Sequence, residues 1–67
     1  MIENRFSIDN VPMSVRTRNV LHNSVGIFFI DELSGMTIRE FRGFQGVGKA
    51  VFDEVCCLMG ECGVSFQ

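Results

Sequence analysis

Residues 43–63, GFQGVGKAVFDEVCCLMGECG, carry the longest helical period in the chain, and this segment constrains the fold more than any other. Val51, Val55, Leu58 and Cys62 recur at offsets of 4, 3 and 4, and Phe52, Cys56 and Met59 widen the stripe. Asp53, Glu54, Cys57 and Glu61 hold the opposite side. The pattern predicts one amphipathic helix over about 48–62, with Gly63 as its C-terminal stop and Val64 and Phe66 folding back onto the core. The whole chain has 67 residues, enough for one small domain. A domain of this size buries only about 60% of the surface its unfolded chain exposes. That leaves no room for a deep enzyme cleft beside an independent core, so a binding module is expected rather than an enzyme. Seven Phe and a net charge of -2 are far from the composition of a disordered chain.

Upstream, isolated apolar residues among polar ones over residues 1–12 suit an extended arm. Pro12 then fixes φ just before Ser14, a good N-cap for a helix running through about His22. Thr17 and Leu21 share one face of that helix, while Arg16 and Asn19 lie together on roughly the opposite one. Asn23, Ser24 and Gly26 are expected to end it. The dense apolar run Ile27–Ile30 with Leu33 reads as a short helix over about 29–34, stopped by Gly35; a strand over Val25–Ile30 is the alternative, although no partner strand is evident. Thr37 and Glu40 match a capping box, and Ile38 with Phe41 gives an apolar i, i+3 pair for a third short helix. Phe28, Phe29, Phe41 and Phe44 read as core, with one or two left over for a partner surface. The fold expected is all-α: a compact bundle of four short helices plus an N-terminal arm over residues 1–7, with the module proper over residues 8–67.

Cys56, Cys57 and Cys62 cluster within seven residues and cannot make a spread disulfide framework, which favours a reducing compartment. The N-terminus has no apolar signal core, and no run approaches the ~20 apolar residues that span a bilayer, so a cytoplasmic chain is expected. Adjacent cysteines diverge by about 100° on a helix, so zinc with His22 as a fourth ligand is disfavoured; no metal or cofactor is expected. Core packing is expected for Cys56 and Cys62, and Cys57 falls on the polar stripe. His22 has no identifiable Ser or Cys partner and no Asp orienter, which leaves nucleophilic catalysis unsupported.

The sequence concentrates its binding chemistry where Gly46 and Gly48 flank Val47 immediately before the long helix. Glycine permits positive φ and close backbone approach, the helix start offers unpaired N–H groups and positive potential, and Lys49 adds a point charge. The spacing is not that of a nucleotide-binding P-loop. It is similar to a helix-hairpin-helix corner, which holds two helices together and grips a nucleic-acid backbone.

Taken in order, IDNVPMSVRTRNVL, GIFFIDEL, GVGKAVFDEV and MGECGVSF resemble the C-terminal domain of the bacterial RNA polymerase alpha subunit over about residues 8–66. The resemblance implies a four-helix fold closing with a helix-hairpin-helix-like pair, binding to the minor groove of AT-rich DNA, and contact with RNA polymerase or a transcription factor. Carried over by position, Arg16 is the arginine that enters the groove and Asn19 assists it one turn on. Val20 stands where the family has Cys. Gly46, Gly48 and Lys49 form the phosphate-contacting turn, and Glu54 matches an acidic position near that surface. This chain departs from the family at Ala50 and Val51, which replace a lysine and a serine, and in the lead-in, where Asp9 alone keeps an acidic surface that touches a sigma factor. With about three phosphate contacts, log affinity would fall with log salt at a slope of about -3, so binding by a lone module is weak and calls for a local basic patch, a homodimer or a protein partner. The expected function is a free-standing DNA-binding, transcription-associated module. The alternative from another class is a protein-interaction adaptor that keeps the fold but has lost DNA binding.

Overall fold

The computed structural model describes residues 6–67 and is an all-α bundle of four helical segments. Helix α1 (Val15–Asn19) starts at Ser14, whose extended backbone and hydroxyl acceptor for the Thr17 N–H make the expected N-cap. The helix does not stop at His22. It widens into a π-helical segment (Val20–Val25), and only Gly26, at φ 80°, ends it. Asn23 and Ser24 therefore sit inside the turn expected to be broken by them. The side chain of Ser24 explains its place there, because its hydroxyl donates to the Gln45 carbonyl at 2.6 Å and ties the widened turn to a distant loop.

The apolar run takes part of both forms considered for it. Ile30–Gly35 is a 3-10 helix, ended by the extended Met36 rather than by a left-handed Gly35. Just before it, Phe29 forms an isolated antiparallel bridge with Ser7. The Ile8 N–H donates to the Phe28 carbonyl at 2.9 Å, and the Ile30 N–H donates to the Phe6 carbonyl at 2.8 Å. The missing partner strand is thus the arm, which has too little period of its own to announce pairing. Residues 1–5 of the expected arm lie outside the described residues. Ile8 is fully buried, so the module begins to contribute core at its first residues.

Helix α2 (Ile38–Arg42) opens with the expected capping box. The Glu40 N–H donates to Thr37 Oγ1 at 3.1 Å, and the Thr37 N–H donates to Glu40 Oε1 at 2.9 Å. Of its apolar pair, Phe41 is fully buried but Ile38 is 47% exposed, because a five-residue helix presents only one turn to the core. The corner 43–48 leads to α3 (Lys49–Cys62), which Gly63 closes at φ 73°. Val51, Val55, Leu58 and Met59 of α3 pack with Ile8, Leu21, Ile30, Leu33 and Phe41, each such side chain worth about 1.5–3 kcal/mol when withdrawn from water. Val64 and Phe66 return as expected; the Phe66 ring lies 5.3 Å from Phe41 and 6.3 Å from Phe52. Cys62 is partly buried against this core, whereas Cys56 is exposed, a correction to its place on the apolar stripe.

Candidate nucleic-acid interface

Three contacts fix α1 against the corner and the first turns of α3. At the start of α1, the Ser14 N–H donates to Glu54 Oε2 at 2.7 Å, and the hydroxyls of Ser14 and Thr17 donate to Glu54 Oε1 at 2.9 and 2.5 Å. Further along, Val20 lies over Gly46 so closely that a Cβ at residue 46 would stand 3.2 Å from Val20 Cγ2. At the far end Ser24 holds Gln45. Read in order, Ser14, Thr17, Val20 and Ser24 meet residues 54, 54, 46 and 45. Helix α1 therefore runs opposite in direction to segment 45–54.

Arg16 sits one turn before Val20 on the same side of α1. It is exposed, and no ion pair or hydrogen bond engages its guanidinium among the described residues. Asn19 is exposed as well and makes no side-chain cap. Gly46 needs to be glycine on two counts, its φ of 88° and the Val20 contact. Gly48 differs: its φ of -91° is ordinary and the space around it is open. As the residue before α3 it brings no side chain, so the first-turn N–H groups of a fourteen-residue helix carry no side-chain cap.

Lys49 is not unpaired. Its ammonium lies 3.1 Å from Asp53 Oδ2, one turn on, with the two side chains 87% and 60% exposed. An exposed i, i+4 pair of this kind is worth about 0.3–0.5 kcal/mol, small beside a charge-assisted bond to a phosphate. Glu54 is not the solvent-facing side chain expected from its stripe. Both carboxylate oxygens are occupied, and the Thr17 hydroxyl first, then the Ser14 N–H and, more weakly, the Ser14 hydroxyl, hold its pKa below the ordinary glutamate value against the opposing effect of burial. It carries a scaffold role for α1. Of the two departures from the resembled family's turn, Val51 is a core residue and Ala50 is exposed.

Other charged groups lie apart from this constellation. Arg18 points to the lead-in, donating from Nη2 to the Val11 carbonyl at 3.2 Å, with Nε buried and without a partner. Arg42 lies over the Phe52 ring at 5.1 Å from its centroid. His22 does have an Asp partner, contrary to expectation: Nε2 is 3.1 Å from Asp9 Oδ1, and its ring lies 5.3 Å from that of Phe28. Spacing along the chain could not reveal a pair whose members meet only when the lead-in folds over the π-helical turn. Partial desolvation, which reaches even the exposed Cys56, raises the Cys56 and Cys62 thiols, with Asp53 adding to the first and Asp31 and Glu61 to the second. Among the described residues, no group of three or more His, Cys, Asp or Glu could hold a metal ion, and no helix is long and apolar enough to cross a membrane. Sequence reading missed Thr17 and Ser24 as ties to the corner. The only signal for Thr17 was its place on the inward face, and Ser24 resembled a breaker.

Comparison with known proteins finds no matching family model, no matching curated protein and no matching solved structure.

Proposed function

We propose that this chain is a DNA-binding, transcription-associated module that uses Arg16, assisted by Asn19, in the minor groove of AT-rich DNA and the Gly46–Lys49 corner on the phosphates. The observation that carries this reading is the seating of Val20 on Gly46. It brings the helix bearing Arg16 alongside the corner that ends in Lys49 and in uncapped helical N–H groups. A free guanidinium is drawn to the enhanced negative potential of a narrow A-tract groove, where it reads groove width more than base identity. The Lys49–Asp53 pair does not oppose this decisively, because its ~0.3–0.5 kcal/mol is readily exchanged for a phosphate contact.

A second reading, a protein-interaction adaptor, draws on different observations. Val15, adjacent to Arg16, is 70% exposed, and Phe28, beside His22, is 61% exposed, apolar surface of the kind a protein partner covers. The test is fluorescence anisotropy with an AT-rich duplex across a salt series. The DNA reading expects log affinity to fall with log salt at a slope of about -2 to -3, and Arg16→Ala to lose about fivefold or more with its stability intact. A titration indifferent to salt and to the substitution contradicts it and favours the adaptor.

A further inference from the structure

Glu54 gathers three donors from the first turn of α1 while belonging to the second turn of α3, and no other residue joins those two helices by side-chain hydrogen bonds among the described residues. A surface carboxylate so occupied is unavailable to a ligand. As an anion beside the proposed phosphate contacts it also works against DNA on charge alone.

Resting on the DNA-binding reading above, we infer that Glu54 is a positioning residue for the DNA surface: it fixes the direction in which α1 presents Arg16 relative to the Gly46–Lys49 corner. The geometry supports this in three steps. Ser14 and Thr17 bracket Arg16 in sequence, and both are fastened to the same carboxylate. Thr17 is 1% exposed, so the fastening lies under the helix, while Arg16, about 100° round the helix from Thr17, is exposed on the flank it shares with Val20. At the far end, the Ser24 bond to Gln45 and the Val20 contact with Gly46 complete the fixation, so loosening the near end swings α1 about the corner instead of releasing it. The groups facing the carboxylate from α1 are Ser14 and Thr17, neither of which titrates near neutrality. On α3, Asp53 is adjacent in sequence and is paired with Lys49.

If Glu54 were only a nearby negative charge, Glu54→Ala would tighten DNA binding. As a positioning residue, its removal weakens binding by about fivefold, the lower end of what losing a groove arginine costs, and lowers the salt slope by about one. Thr17→Val keeps the charge and the shape but removes one donor, and is expected to weaken binding in the same direction. Glu54→Gln keeps an acceptor for the Ser14 N–H and can donate to the two hydroxyls, so it restores binding to the wild-type level or above. Anisotropy titrations of the full chain with an AT-rich duplex, each variant checked for a dispersed amide spectrum, read all three. Wild-type binding with Glu54→Ala and Thr17→Val equal to or tighter than wild type overturns the positioning role and leaves the DNA reading standing. Absence of wild-type binding at low salt overturns the DNA reading itself, and with it this inference.

Discussion

Replacing Gly46 by alanine puts the contact that organises the interface under direct strain. At φ 88° a Cβ-bearing residue costs about 1–2 kcal/mol in backbone energy. The new methyl also meets Val20 Cγ2 at 3.2 Å, so the two segments have to separate by a few tenths of an ångström. Together these predict a loss of about 2 kcal/mol. In a domain of this size that lowers Tm by roughly 8–16 °C, at about 4–8 °C per kcal/mol. Denaturation followed by circular dichroism measures it, and a double-mutant cycle with Val20→Ala separates the causes. The shorter side chain relieves the contact but not the φ strain, so Gly46→Ala is expected to cost at least ~0.5 kcal/mol less on that background. Gly48→Ala serves as the control, since its backbone is ordinary and its surroundings open, and is expected to cost no more than about 1 kcal/mol, the preference of a helix N-cap for glycine over alanine. A Gly46→Ala chain as stable as the Gly48→Ala chain, or a cycle without coupling, would refute the close seating of α1 on the corner.

Two further outcomes follow from the caps and the carboxylate. Thr37→Ala removes the hydroxyl that accepts the Glu40 N–H and should cost about 1 kcal/mol by urea denaturation; a change under ~0.3 kcal/mol would mean that α2 does not depend on its capping box. Because the folded state lowers the Glu54 pKa, its contribution is complete above the unfolded value of about 4.3 and is lost as pH falls through the lower folded value. Stability of the wild type should therefore drop more steeply than that of Glu54→Gln between about pH 5 and pH 3, and parallel curves would contradict the hydrogen-bonded carboxylate.

Features set by local pattern were legible in the sequence. The 4, 3, 4 spacing of Val51, Val55, Leu58 and Cys62 placed α3 to within a residue, with Gly63 ending it, and Thr37 with Glu40 marked the start of α2. Ser14 was recognisable as a cap by its residue type and its place after Pro12. What escaped depends on residues far apart in the chain. Ser24 looks like a breaker until Gln45 supplies its acceptor, and the strand character at Phe29 is invisible without the arm's Ser7. Glu54 is the clearest case in the site. Its neighbours make it one more polar position on a helix, and only the approach of α1, forty residues earlier at Ser14, gives its carboxylate three donors. Cys56 failed for another reason: at the edge of an apolar stripe, period alone does not decide which side of the boundary a small side chain takes.

Backbone amide shifts of the chain, followed as an AT-rich duplex is added at low salt, test the DNA surface most directly. Perturbations are expected to concentrate at Arg16, Asn19 and residues 46–50 and to fade as salt rises. Shifts confined to the shallow groove bounded by Met36, Arg39 and Phe44, or no shifts anywhere, would contradict it.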